Sequence, residues 1–273
     1  MTEGSNGQLT PRVLSACVFV PIVLGLTWYG GWGLLALVCA IVGRSTWELL
    51  HMVEDRGHRP LKWIAVGLSL LWCLWVQILG SDSLLTPALI VVVLVLGLAL
   101  LRGVDGYLGN SLFTLGAVLF VGLLGSTPLV LSQQPDGSAQ ILVTVLLSIW
   151  LTDAAAYGGG RLWGRRKLVP EISPNKTGAG FISGLVGGLV PALGHSYVAF
   201  WSLPQLLGLL LVVSIAGQVG DIVESAIKRD LGVKDAPALI PGHGGMIDRF
   251  DSYLFAFPAA LIYFQLLACP EKP

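Results

Sequence analysis

Apolar residues run almost unbroken through nine stretches of this chain, separated by short polar connections: Val13 to Tyr29, Trp32 to Leu50, Leu61 to Leu79, Leu84 to Leu101, Leu108 to Leu131, Ile141 to Gly160, Gly178 to Leu193, Leu203 to Ile227 and Phe250 to Cys269. Each comes near the length of about 20 residues that a helix needs to cross the hydrocarbon core of a bilayer. The pattern predicts an all-α, polytopic integral membrane protein of about nine transmembrane helices. The first two form a hairpin through the uncharged turn Gly30-Gly31-Trp32-Gly33, and the seventh, rich in glycine and interrupted near Pro191, is the least regular.

The distribution of basic residues tests that count independently, because cytoplasmic connections collect Lys and Arg. With the N-terminus in the cytoplasm, the inside segments hold Arg12; then Arg44, Arg56, Arg59 and Lys62; then Arg102; then Arg161, Arg165, Arg166, Lys167 and Lys176; and finally Lys228, Arg229, Lys234 and Arg249. Of the 16 basic residues, Lys272 alone falls outside. A missed or invented helix early in the chain would scramble this partition.

Composition agrees: 54% of the 273 residues are hydrophobic and 12% charged, with a mean hydropathy of +0.78, well beyond an ordinary soluble domain. The formal net charge of zero conceals a strong polarity across the bilayer and points to no nucleic-acid partner. Cys17, Cys39, Cys73 and Cys269 all lie in apolar stretches, without metal-ligand or redox spacing, and read as packing residues. The first apolar stretch ends in Trp28-Tyr29-Gly30-Gly31 rather than a small-x-small cleavage site, so it is expected to be a retained helix. His51 and His58, beside Arg56 and Arg59, read as solvated loop residues. Residues 1–11 are expected to form a polar tail, 12–269 a single transmembrane domain and 270–273 a short tail. Within the domain, 12–135 is expected to be mainly scaffold and 136–269 to carry the chemistry.

Three features of the second half bear on chemistry. Asp153 lies inside the sixth apolar stretch, where a carboxylate costs about 2.5–3.5 kcal/mol even on the mildest insertion scale and so faces a partner or a wet cavity. Ser173-Pro174-Asn175-Lys176-Thr177 then precedes the seventh helix; amides at a helix N-terminus beside Ser, Thr and Lys make an anion site, although the same residues also serve as an ordinary N-cap.

The third feature is the stretch from Asp221 to Asp251, which concentrates five Asp, one Glu, four Lys or Arg and one His in 31 residues. On a helix, Asp221, Glu224, Ser225 and Lys228 share one face, and Asp248 and Asp251 stand three apart at the expected start of the ninth helix. Paired acids repel unless something positive lies between them. A hard cation such as Mg²⁺ is held by one or two carboxylates together with substrate phosphates, and the turn Pro241-Gly242-His243-Gly244-Gly245 offers backbone amides to a phosphate. Lys228, Arg229, Lys234 and Arg249 would neutralise the rest of a polyphosphate, with His243 in phosphate contact.

At these residues the chain resembles the phosphatidate cytidylyltransferases, also called CDP-diacylglycerol synthases. Their signature is matched from Ser225, Lys228 and Arg229 through Lys234 and Asp235 to Pro241, His243, Gly244, Gly245, Asp248, Arg249 and Asp251. The segments 153–167 and 173–177 also look like the family, so the resemblance covers roughly the C-terminal half. Pro237 departs from it, standing where the family usually has a small residue. The resemblance implies a multi-helix membrane fold, a homodimer, Mg²⁺ dependence with a monovalent cation such as K⁺ nearby, and conversion of CTP and phosphatidic acid into CDP-diacylglycerol and pyrophosphate. It implies a metal centre on Asp221 and Asp248, supported by Glu224, Asp251 and Asp153. Phosphates would be bound by Lys228, Arg229, Lys176 and Arg249, helped by Ser173, Thr177 and the amides around His243. The site would face the cytoplasm, and the compact length favours a bacterial plasma (inner) membrane.

The rival reading from another class is an ion-coupled transporter with Asp153, Asp221 and Glu224 as cation ligands along a path. It requires ionisable residues continuing toward the outside, and the sequence offers almost none. A CDP-alcohol phosphotransferase is a further rival, but its D-G-x-x-A-R run is missing at Asp105-Gly106.

Overall fold

The computed structural model describes residues 19–80, 84–134, 138–198, 201–237 and 244–268. Among these, seven helical spans are long and apolar enough to cross a membrane. They are α2 (Gly31–Glu54), α3 (Lys62–Leu79) and α4 (Leu85–Ala99), the last prolonged by a 3-10 turn to Arg102; α5 (Tyr107–Ala117), which passes through a π-helical stretch (Val118–Leu123) toward α6 (Thr127–Ser132); α7 (Ser138–Trp163); α8 (Gly178–Gly188), prolonged by 3-10 turns; and α9 (Leu203–Asp230). A shorter apolar helix, α1 (Phe19–Tyr29), precedes them. Residues 13–18 of the first predicted span lie outside the described residues.

The ninth predicted segment differs from its expectation. It forms a single turn, α10 (Ile247–Phe250), a break, and then α11 (Tyr253–Tyr263), which continues as a π-helical turn from Phe264 to Ala268. The break falls where Asp251 accepts a hydrogen bond from the Ser252 amide, and such local side-chain bonds compete with the helical ladder. The stretch after α7 is a second departure from an all-helical chain. β1 (Lys167–Val169) pairs antiparallel with β2 (Ser173–Thr177), in register Lys167 with Thr177 and Val169 with Ser173.

The helices that carry the charged residues approach one another closely because small residues line their contacts, the usual device where lipid gives no hydrophobic drive to helix pairing. A Cβ on Gly187 of α8 would stand 2.4 Å from the Ala155 Cβ and 2.6 Å from the Leu151 carbonyl of α7. Hydrogen bonds tie the three helices: the Ser148 hydroxyl donates to the Gly188 carbonyl at 2.8 Å, Thr152 to the Ser214 hydroxyl at 3.0 Å, and the Gln218 amide to the Phe181 carbonyl at 3.3 Å. On its other side α9 meets α11, where a Cβ on Gly220 would stand 2.8 Å from the Asp251 carbonyl.

The length of α9 sets the depth of the site. Its 28 residues span about 42 Å at 1.5 Å per residue, well beyond a hydrocarbon core of about 30 Å. Asp221 comes 18 residues after Leu203, or about 27 Å along the axis, so the charged last turns emerge at headgroup level. The start of α9 is fixed by a capping box, with the Ser202 amide donating to the Gln205 side chain at 2.9 Å, and by proline in the first turn. This pairing satisfies amides left without intrahelical partners.

Candidate active site

A cavity of about 540 Å³ opens between α7, β2 and α9, within the usual range for small-molecule sites. Asp153 of α7, Ser173 and Lys176 of β2, and Asp221 of α9 all line it, together with Tyr157 and Arg161. Thus the two segments singled out in the sequence, 153–167 and 173–177, form a wall facing the start of the 221–251 stretch. Lys176 Nζ lies 2.8 Å from Asp221 Oδ1, and the Asp221 side chain retains 37% exposure. Its carboxylate is therefore only partly neutralised and is reachable from the cavity. The Ser225 hydroxyl donates to the same oxygen at 3.4 Å.

Thr177 proves to be the N-cap of α8, accepting from the Gly180 amide at 3.1 Å, and the Gly178 amide donates to the Arg166 carbonyl at 3.1 Å. Two of the first three amides of α8 are thus already bonded within the chain, and the open anion site expected there is smaller than the sequence implied. Ser173 and Lys176 remain on the cavity wall.

One turn farther along α9, a buried charge cluster joins α9 to α10 and the residues before it. Lys228 Nζ sits 2.7 Å from Glu224 Oε2 and 2.6 Å from Asp248 Oδ1, donating a hydrogen bond to the latter. The buried Glu224 carboxylate is thus paired with an ammonium that it shares with Asp248. Asp248 Oδ2 accepts from the Gly245 amide at 2.8 Å and the Ala236 amide at 3.0 Å. Burial by itself raises a carboxyl, but the Lys228 ammonium and the Gly245 amide outweigh it and hold Asp248 below the ordinary carboxylate value. Lys228, expected at a phosphate, is engaged by two carboxylates instead.

Asp251 lies within electrostatic reach of Asp221, Glu224 and Asp153, of which Asp221 and Asp153 line the cavity. Among the described residues, no three His, Cys, Asp or Glu side chains converge closely enough to form a ready-made metal cage. The donor set nevertheless fits a hard cation that takes the rest of its shell from phosphate and water. Asp221 offers a reachable carboxylate, and Glu224 a buried one paired with Lys228. Asp248 fits less simply, since both its oxygens already accept hydrogen bonds and a cation there would compete with Lys228.

The remaining signature residues divide by place. Arg229 donates to the Ile172 carbonyl at 3.2 Å and the Val233 carbonyl at 3.0 Å, tying the end of α9 to the β1–β2 turn. Lys234, Asp235 and Arg249 are exposed. Gly244 has φ +71°, a left-handed conformation that favours glycine, and Gly245 is buried. His243, with Pro241 and Gly242, lies outside the described residues.

Sequence reasoning missed the contribution of α2. Glu48 has no exposed side-chain surface; Arg44 Nε donates to its Oε1 at 2.7 Å, and its Oε2 accepts from the Ile247 amide at 2.9 Å. Arg44 also reaches the Pro237 carbonyl at 3.0 Å, and Arg56, just beyond α2, donates to the Leu231 carbonyl. An acid inside the second apolar stretch, four residues after an arginine, was the available signal. It was passed over because that half of the chain read as scaffold.

Comparison with known proteins identifies the family of the chain. The model of the cytidylyltransferase family matches residues 10–267. Phosphatidate cytidylyltransferase of Staphylococcus aureus (strain COL) is 35% identical over 254 residues, covering 90% of this chain and 94% of that protein. The Bacillus subtilis (strain 168) protein of the same name is 35% identical over 271 residues, covering 95% and 96%. That of Staphylococcus haemolyticus (strain JCSC1435) is 45% identical over 151 residues, covering 55% and 57%. With the match running across nearly the whole chain, scaffold helices and charged cavity together, the protein belongs to the cytidylyltransferase family.

Proposed function

We propose that the chain is a phosphatidate cytidylyltransferase, transferring CMP from CTP to phosphatidic acid to give CDP-diacylglycerol and pyrophosphate. The observation that carries this reading is the cavity that brings Asp153, Lys176 and Asp221 together, in a chain whose relatives bear that name. Family membership leaves the transporter reading without support.

In the reaction, a phosphate oxygen of phosphatidate attacks the α-phosphorus of CTP. The P–O bond to the β-phosphate breaks, and pyrophosphate leaves with that bond's electron pair. A phosphomonoester has a second pKa of about 6, so the lipid arrives largely dianionic and needs no strong general base. The protein must align two anions and offset their repulsion. Lys176 stands on the cavity wall to take phosphate charge, and Arg161 lines the same cavity. Lys228 pairs with both Glu224 and Asp248 and so ties the end of the signature stretch to α9. Arg249, Lys234 and His243 supply further phosphate contacts from that loop.

The group that the acids would hold is Mg²⁺, with K⁺ as an accompanying monovalent cation; when bound, the divalent ion offsets charge on the phosphates. Its ligands are drawn from Asp221, Asp248, Glu224 and Asp251. The cavity faces the cytoplasm of a bacterial inner membrane, where CTP is available, and the lipid enters laterally from the bilayer. The working unit is a homodimer, with residues 136–269 as its catalytic half.

Purified protein supplied with radiolabelled CTP, Mg²⁺ and phosphatidate in mixed micelles is expected to release pyrophosphate and form a chloroform-soluble cytidine lipid. Absence of lipid-linked cytidine, with metal chelation changing nothing, would refute the reading.

A further inference from the structure

Helix α2 and the turn after it grip the segment between α9 and α10 at three points. Arg56 takes the Leu231 carbonyl, Arg44 the Pro237 carbonyl and Glu48 the Ile247 amide. The last two act as one device, because Arg44 simultaneously donates its Nε to Glu48. A fully buried carboxylate remains ionised only when paired and hydrogen-bonded, and here the partners are an arginine of its own helix and an amide of the signature loop. Asp248, whose Oδ2 holds the Gly245 and Ala236 amides and whose Oδ1 meets Lys228, lies next to the Glu48-bonded Ile247. The fit is tight from both sides: a Cβ on Gly245 would stand 2.6 Å from Glu48 Oε2 and 2.7 Å from the Ala236 Cβ.

From this geometry we infer that Arg44 and Glu48 are positioning residues for cytidylyl transfer: they hold the ends of the signature loop so that Asp248 and the Gly244-Gly245 turn are set against α9 before substrates arrive. The inference rests on the proposed function for its catalytic part and on geometry alone for its structural part. It gives the first half of the chain a role at the site. It also accounts for how Pro237 is accommodated, since the loop uses that residue's carbonyl, which proline retains, and not its missing amide.

The geometry separates charge from reach. Lysine at position 44 keeps the charge, but its single ammonium lacks the planar fork with which Arg44 serves Glu48 and Pro237 together. Glutamine at position 48 keeps an acceptor for Ile247 and loses the ion pair.

The test uses full-length protein in detergent, measuring hydrogen exchange of peptides covering 244–250 alongside steady-state kinetics for R44K, E48Q and E48A. Faster exchange in that segment is expected in all three, largest in E48A, while peptides from α7 and α8 stay unchanged. On the catalytic side, kcat per folded enzyme is expected to fall about 10–100-fold, the range for partners that orient a site from behind it, with the KM for phosphatidate little changed. Should E48A fail to fold, R44K and E48Q carry the same readouts. Unchanged exchange at 244–250, or normal kcat per folded enzyme in R44K and E48Q, overturns the inference. A wild-type protein that forms no cytidine lipid overturns the proposed function instead, and the exchange measurement then still decides whether α2 holds the loop.

Discussion

Asp221 and Asp248 were paired by the sequence as equivalent acids, yet their surroundings differ enough to separate their mutants. Asp221 faces the cavity with 37% of its side chain exposed and one close cation, Lys176. Replacing it by asparagine preserves shape and leaves an amide oxygen beside Lys176 Nζ, whose close anion is lost. The expected result for D221N is a loss of turnover of about 100-fold or more, typical of removing a charge-stabilising group from an active site, with near-normal yield of folded protein. Asp248 accepts from Lys228 and two backbone amides. Because D248N places an amide donor where at least one of those donors points, turnover is expected to be lost together with stability, by about 1–3 kcal/mol for an unsatisfied buried partner. Initial-rate assays alongside thermal melts in detergent distinguish the two. A D221N enzyme with a near-normal rate would remove that residue from the chemistry.

Elements rather than single side chains decide how the cavity walls are held, and here glycine contacts are the sensitive quantity. Gly187 of α8 faces the Leu151 carbonyl and the Ala155 Cβ of α7 at 2.6 and 2.4 Å from where its Cβ would stand, and a backbone carbonyl cannot rotate away as a side chain can. Gly116 of α5 has nothing within 4 Å of the same point. G187A is therefore expected to cost about 1–3 kcal/mol as an overpacked contact, seen as a lower melting temperature, and to reduce activity by spreading the wall that carries Asp153. G116A should melt at or slightly above the wild-type temperature, since alanine is the better helix former. Equal melting of the two variants would show that the α7–α8 contact is not tight. This level of organisation was only partly legible beforehand. Seven of the nine apolar segments were readable as long spans because bilayer thickness sets a minimum length, and the signature loop was readable because charge is conspicuous in an apolar chain. The β1–β2 hairpin escaped notice because strands of three and five residues of mixed polarity carry no clear period. Glu48 escaped because its partner, the Ile247 amide, lies 199 positions away, and no local pattern encodes so distant a contact.

At the scale of the whole molecule, the sidedness of the site depends on two features that arise separately. The charge partition sends the connections after α2, α4 and α7 to one face, and the structure brings Asp153, in the C-terminal half of α7, and Asp221, in the C-terminal half of α9, to one cavity. α7 and α9 must therefore run in the same direction, as spans separated by one reversing helix do. A chain threaded one helix out of register after α4 would keep the cavity but transfer it to the other face, where neither CTP nor the basic connections belong. Cysteine labelling decides between these arrangements. In a variant with Cys17, Cys39, Cys73 and Cys269 replaced, single cysteines at the exposed positions Asp55 and Asp105 are expected to react with a membrane-impermeant maleimide only after the membrane is opened. A cysteine at Gln134, in the connection before α7, is expected to react in intact cells. The two early positions test the register of α1 to α4, and Gln134 tests whether α5 and α6 complete a single crossing despite the π-helical stretch between them. Reaction of Asp55→Cys or Asp105→Cys in intact cells would invert the topology and place the charged cavity outside. Protection of Gln134→Cys in intact cells, with both early positions still protected, would mean that the segment from Tyr107 to Ser132 does not cross, reversing α7 to α9 alone.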